Sequence, residues 1–260
     1  MVYQRATGPT YPKKVKVELA GKDYKFKLLR SNEIGSPCDI QLPIEDKEVT
    51  AKIYYKKYKT SDELTIVDMK RVLPEGEDEE VLTATLPEQP SAGKVQYYIE
   101  LSKGNELVAI QKEEPVVVRF KGFVPRYILI PHVIFMIISL FAGTRAGIEA
   151  IAGGNKTRLF ATITLGVLFM GGLILGPIVQ LYAFGELWTG WPFGGDWTDN
   201  KTLFAWIFWL IAVIVLKKKP HNRLWPIIAV FVLFAMYMIP HSMGGSELNN
   251  ETGQIETGMK

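Results

Sequence analysis

Two unlike hydrophobic patterns divide the chain, and they change over near residue 122. In Lys14-Val15-Lys16-Val17-Glu18-Leu19 every second side chain is apolar, the period of a strand with one buried face. Ala20-Gly21-Lys22-Asp23 has turn composition, and Tyr24-Lys25-Phe26-Lys27-Leu28 alternates again. The signal recurs at a spacing of roughly ten residues, which predicts further strands over 39–42, 49–55, 64–69, 81–86, 95–101, 107–111 and 116–120. No window in this half has helical periodicity. The expectation is an all-β sandwich over residues 1–122.

Beyond Val124 the apolar residues run together in blocks, with charges almost only at their ends. A helix that crosses a bilayer needs about 20 mainly apolar residues. Blocks at about 127–144, 159–184, 202–216 and 224–240 predict four spans. Residues 123–248 are then a four-helix transmembrane domain, and 249–260 a polar C-terminal tail. The second block exceeds what a bilayer requires, and Pro177 predicts a kink in it. The third is short, but Lys201 and Lys217-Lys218-Lys219 flank it and can reach out to the two interfaces. Asp199-Asn200 predicts its helix N-cap. The fold class expected is α+β, a β-sandwich followed by a transmembrane bundle.

Charge adds the orientation. The link between the third and fourth blocks, Lys217-Lys-Lys-Pro-His-Asn-Arg223, is short and strongly basic, so it is expected on the cytoplasmic side. Arg145, Lys156 and Arg158 lie in the first link and agree with it. The link 185–200 carries Glu186, Asp196 and Asp199 and no basic residue, and is expected outside, together with the tail and the β domain. Arg119, Lys121 and Arg126 before the first block oppose this, but weakly beside the lysine cluster. Met1 to Lys14 form no signal peptide, so the β domain is expected either to be exported without one or to follow an upstream segment. The net charge of +3 averages two different halves and implies no polyanionic partner. Lys52 and Lys56 share a strand face with Tyr54 and Tyr58, an ordinary exposed sheet surface and not one for nucleic acid. The acidic run from Glu75 to Glu80 reads as a solvated hairpin loop. The single cysteine, Cys38, excludes an intramolecular disulfide and reads as a small buried hydrophobe.

The candidate chemistry gathers at the outer end of the predicted bundle. His132 lies inside the first block and His241 closes the fourth, each in an Ile-Pro-His sequence. An ionisable side chain inside a span is costly and therefore a candidate site. The two histidines could ligate a haem iron or, with Asp196, Asp199 or Glu247, a divalent metal. The plainer reading is a histidine bonded to a neighbouring helix and another in an interfacial belt with Trp188, Trp191 and Trp197. Gly172 and Gly176 form a GxxxG pair on which a helix of this chain or of another subunit could pack closely. Arg145 and Glu149 have the spacing of a local ion pair.

The stretch Leu86-Pro-Glu-Gln-Pro-Ser-Ala-Gly-Lys-Val-Gln-Tyr-Tyr-Ile-Glu-Leu101 resembles the late strands of fibronectin type III and bacterial immunoglobulin-like domains. Such modules bind proteins or act as spacers. More of the chain resembles a group of uncharacterised bacterial inner-membrane proteins. The shared words are Tyr3-Gln-Arg-Ala-Thr-Gly-Pro-Thr-Tyr-Pro12, Gly-Pro-Ile-Val-Gln180 with Trp-Thr-Gly-Trp-Pro-Phe-Gly, and Pro-His-Ser-Met-Gly-Gly-Ser-Glu-Leu248. Together these readings predict a non-enzymatic accessory or assembly subunit of a bacterial inner-membrane complex. Its partners would be the lipid bilayer, other membrane subunits and exported proteins. A haem- or metal-binding redox protein is the alternative and a transporter the third. No proton path of polar residues runs through the blocks, which argues against a pump or channel.

Overall fold

The structure is a computed structural model that describes residues 6–76, 78–240 and 244–257. The chain forms two compact units: Thr10–Gly122 with Glu247–Glu256 make a β-rich unit, and a helical unit is centred on Phe123–Ser246.

In the β unit the alternation of the sequence becomes alternation of burial. Strands β1 (Lys13–Leu19) and β2 (Lys22–Leu28) pair antiparallel and turn Val15, Val17, Tyr24, Phe26 and Leu28 toward the core. The central strand is β9 (Lys94–Lys103), whose Val95, Tyr97, Ile99 and Leu101 are completely buried. One side of it pairs with β5 (Thr50–Lys57) and the other with β10 (Glu106–Ile110) and β11 (Val116–Lys121). Two elements of this sheet complete it, β3 (Ser31–Glu33) parallel to β11 and β6 (Thr65–Asp68) beyond β5. A second sheet has the order β4 (Cys38–Pro43), β8 (Val81–Leu86), β7 (Lys70–Val72). Side chains from all the sheets meet in one apolar core. The short strands β3 and β7 have no alternating apolar signal, since neighbours on the sheet define them and not their own pattern. Cys38 is buried, and burial pushes its thiol up to about 11.

Residues 249–256 of the predicted polar tail, with Glu247 and Leu248 before them, belong to this unit. Residues Glu247–Leu248 (β12) and Ile255–Glu256 (β13) form a small antiparallel hairpin. The Leu248 N–H donates to Ala92 O at 3.1 Å, and the Asn250 side chain donates to Tyr58 O at 3.2 Å. Glu247 takes Lys59 Nζ at 2.8 Å and also pairs with Lys94. Both ammonium groups lie over the Tyr58 ring, each at 5.2 Å. Part of the Lys/Tyr surface read as ordinary solvent-facing sheet is therefore the seat of the C-terminal hairpin.

The helical unit begins with α1 (Arg126–Ala152), 27 residues long. It runs past the predicted end at Thr144 because Ala146, Gly147 and Ala150 are buried against neighbours and Arg145 pairs with Glu149 at 2.5 Å. Gly153 stops it in the left-handed conformation, donating its N–H to Glu149 O. Glu149 then closes the turn by accepting the Lys156 N–H at 3.1 Å. A Cβ on Gly154 would overlap that carboxylate.

The second long helix is continuous over Thr157–Phe184 but changes register inside. It comprises α2 (Thr157–Leu168), a π-helical turn (Phe169–Leu175) and α3 (Gly176–Phe184). The irregularity falls before Pro177, which stands in the first turn of α3. Proline lacks an N–H and crowds the preceding turn, and a widened turn accommodates both defects. Asp196 caps α4 (Trp197–Lys218), accepting the Thr198 N–H at 2.7 Å, so the helix starts ahead of the predicted Asp199-Asn200 cap. The last helix, α5 (Leu224–Met238), has 15 residues. Among the described residues three helices are long and apolar enough to cross a membrane, and α5 is shorter.

Close packing uses small residues on α1. A Cβ on Gly143 would overlap Leu233 and lie 3.1 Å from the ring of the fully buried Trp209, and one on Gly147 would meet Val230 at 2.8 Å. Of the predicted GxxxG pair only Gly172 serves this purpose, with Thr202 Cγ2 at 2.5 Å from its Cβ position. A Cβ on Gly176, just past the π turn that contains Gly172, would meet nothing closer than Gly171 O at 3.6 Å. Outward the unit exposes Phe141, Ile151, Phe204 and Phe231, a surface suited to lipid and not to water. We predict that Gly143→Leu and Gly147→Leu each lower stability by about 1–3 kcal/mol through overpacking. Gly166→Ala, whose Cβ would stand in open space, should not lower it. Thermal unfolding in detergent compares them.

Candidate functional site

The polar residues predicted at the outer end of the bundle fall into separate places. His132 lies on α1, and its Nδ1 is 2.8 Å from Gly171 O. A carbonyl only accepts, so Nδ1 carries a proton and donates it. Gly171 O belongs to the π turn and also receives the Gly176 N–H five residues on. His132 thus fastens α1 to the irregular turn. His241 lies outside the described residues. Glu247 belongs to the β unit, where two lysines hold it.

Asp196 and Asp199 do come together, around Thr189. The loop from Gly185 to Asp196 leaves α3 and folds back on the first turn of α4. Asp199 accepts the Thr189 N–H at 2.7 Å, and Asn200 accepts the Trp191 N–H at 2.6 Å. The Thr189 hydroxyl receives the Gln180 amide at 2.5 Å and has Asp196 Oδ2 at 3.2 Å and Asp199 Oδ2 at 3.4 Å. It has one proton for two carboxylates, so it serves one of them at a time. All four of Gln180, Thr189, Asp196 and Asp199 are buried. Gly190 lacks a side chain because a Cβ there would meet Asp199 Cβ at 2.6 Å. Thr257 latches the loop from the other side, accepting the Gly195 N–H at 3.1 Å. Lys201 does not reach out to the interface as predicted. It is buried and donates to Ile239 O at 2.8 Å, satisfying a carbonyl at the end of α5.

This network holds a loop whose tip faces outward. Trp191 and Phe193 are 68% and 84% exposed, while the Trp188 indole donates to Trp191 O at 3.1 Å and braces the tip from within. Chemically the arrangement is a clamp: the carboxylates accept backbone amides and a cap, and among the described residues no group of three or more His, Cys, Asp or Glu is gathered for a metal ion. Sequence reasoning missed Gln180, Thr189 and Thr257. Gln180 could have been found as the lone amide in an otherwise apolar stretch, but a threonine in a loop carries no such signal.

No family model matches the chain, and no characterised protein matches it in sequence.

Two outcomes follow. Asp199→Ala leaves the Thr189 N–H without its acceptor, a loss of about 1.5–3 kcal/mol for a bond to a charged group. Chymotryptic cleavage after Phe193 should become at least about tenfold faster than in the parent chain. For Glu247, burial raises the carboxyl's proton affinity, but hydrogen bonds from Lys59 and Lys94 outweigh that and hold it below the ordinary range. A depressed value means that the stabilisation is complete above the unfolded glutamate's value of about 4.3 and fades as the pH falls below it. A probe on Glu251→Cys should gain mobility in that acid window in the parent chain, and already at neutral pH when Glu247→Gln is added.

Proposed function

We propose that the chain is a four-span protein of a bacterial inner membrane, an accessory or assembly subunit whose β unit faces outward and binds a partner. The observation that carries this reading is the membership of Glu247–Glu256 in the β unit. Gly122 and Glu247 then lie on one side of the membrane, so the chain between them crosses an even number of times. Three helices have spanning length. The fourth crossing falls to α5, which at 1.5 Å per residue covers about 22 Å of a core of about 30 Å. Local thinning of the bilayer and the apolar residues Ile239 and Pro240 make up the difference.

The charged ends give the orientation. Lys217 and Lys218 at the end of α4, Lys219 and Arg223 in the turn after it, Lys156 before α2 and Arg158 in its first turn are all exposed. Under the positive-inside rule they face the cytoplasm, and the β unit with the loop at Trp191 faces out. The β-sheets sharing one core fit the immunoglobulin-like or fibronectin type III module expected from residues 86–101, a class that binds proteins. The aromatic tip Trp191–Phe193, held in place by a buried network, is the kind of group that dominates interfaces.

Labelling of single cysteines in a Cys38→Ser background tests the topology. An impermeant maleimide on intact spheroplasts should modify Glu251→Cys and Lys103→Cys, and modify Lys218→Cys only after lysis. Labelling of Lys218→Cys in intact spheroplasts would overturn the orientation. Labelling of Lys103→Cys and Glu251→Cys from opposite sides would overturn the four crossings.

A further inference from the structure

The helical unit gathers its cations at one end. Two turns meet there, one joining α1 to α2 and the other joining α4 to α5. The Arg223 guanidinium lies against the first of them at Gly153, where an added Cβ would meet Nη2 at 2.5 Å. Arg145, Lys156 and Arg158 belong to one turn and its flanks, and Lys217, Lys218, Lys219 and Arg223 to the other, all of them exposed. Glu149 is the one carboxylate in the two segments 145–158 and 217–223, and Arg145 already pairs with it. Among the described residues the other six cations make no ion pair. In the β unit carboxylates are interspersed with the lysines and pairs such as Lys103 with Asp46 and Lys112 with Glu100 form, whereas here no second carboxylate is at hand.

The backbone adds to this positive field. Helices α2 and α5 both begin at this end, and neither has an acidic residue in its first turn. A helix start carries a partial positive charge that a carboxylate in that turn would offset. Beside the cations the surface is aliphatic: Ile148 and Ile151 near the end of α1, Leu159 in the first turn of α2 and Leu224 at the start of α5 are all exposed. Unpaired cations next to exposed aliphatic side chains complement a molecule with an anionic head and hydrocarbon tails. A soluble phosphate would use the cations and leave the aliphatic side chains in water. Basic clusters at the end of a membrane bundle attract anionic lipid, and a free guanidinium bonds a phosphate through two parallel N–H groups.

We propose that this end of the helical unit binds an anionic phospholipid, its phosphate on Lys156, Arg158 and Arg223 and its chains along Ile151 and Leu159. The inference rests on the helical unit lying in a bilayer, as proposed above, and not on which side the β unit faces. The test is the lipid kept by the full chain in mild detergent after exposure to an equal mixture of dioleoylphosphatidylglycerol and dioleoylphosphatidylcholine, read by native mass spectrometry. The parent chain should keep the anionic lipid over the zwitterionic one by at least about tenfold. Lys156→Gln/Arg158→Gln/Arg223→Gln should lose that preference while keeping the zwitterionic lipid at the parent's level. Ile151→Ser/Leu159→Ser should lower the anionic lipid retained by at least about threefold. Lys25→Gln/Lys27→Gln/Lys70→Gln, which removes the same charge from exposed sites of the β unit, should retain the preference in full. Equal retention of the two lipids by the parent, a preference that survives the first triple variant, or an equal loss in the β-unit variant would each overturn the proposal. Glycerophosphoglycerol, the soluble headgroup, should not displace the bound lipid from the parent chain even in large excess; displacement would mark a site for a soluble anion and overturn it as well. A chain that keeps neither lipid would contradict the bilayer placement itself, and the inference would fall with it.

Discussion

The Glu247 carboxylate sits between two lysine ammonium groups, and the topology of the chain depends on that clasp. Lys59 follows β5 and Lys94 begins β9, so the glutamate is held by the centre of the larger sheet. Backbone bonds at Ala92 and Tyr58 seat the rest of the hairpin. A segment that follows the last helix is thereby made part of the unit that precedes the first. Whatever lies between must leave the β unit and return to it, and on the proposed reading this makes the short α5 a fourth crossing.

The helical unit has three helices long and apolar enough to cross a membrane. Lipid gives helices little reason to associate through apolar area alone, so contact rests on close approach and on hydrogen bonds. Gly143 and Gly147 provide the approach, letting Leu233, Val230 and Trp209 sit against the α1 backbone. His132 and the π turn provide one of the bonds, and Gln180, Thr189, Asp196 and Asp199 provide several at one end. The opposite end is fixed by Glu149, which joins Arg145 to the amide that opens α2. Among the described residues the ionisable groups buried in this unit have identifiable structural partners, and the most exposed aromatic, Phe193 at 84%, lies at the tip they hold.

Much of this was legible in the residues. Alternation over 14–28 and 95–101 marked the strands that carry the core, because their period records which face is buried. The apolar blocks marked the helices, and Arg145 with Glu149 was readable from spacing alone. What could not be read was set by contacts distant in sequence. Strands β3 and β7 exist because neighbours pair with them. The hairpin 247–256 looks like a polar tail, since Glu247 and Asn250 are recognisable as anchors only once Lys59, Lys94 and Tyr58 are brought near. Asp196, weighed as a metal ligand, caps α4 by accepting the Thr198 N–H. Lys201 was expected at an interface and is buried at the end of α5. In both cases composition named the polar residue, and the fold chose its partner.

The clasp between the C-terminal hairpin and the sheet is the claim to test most directly. Asn250 and Tyr58 are neighbours through the bond at 3.2 Å. The variant Tyr58→Cys/Asn250→Cys, in a Cys38→Ser background, can be oxidised in native membranes and run without reductant. The account predicts an intrachain disulfide and a faster-migrating band that reductant removes. Two free thiols that never join, each reached by an impermeant reagent from a different side of the membrane, would contradict it.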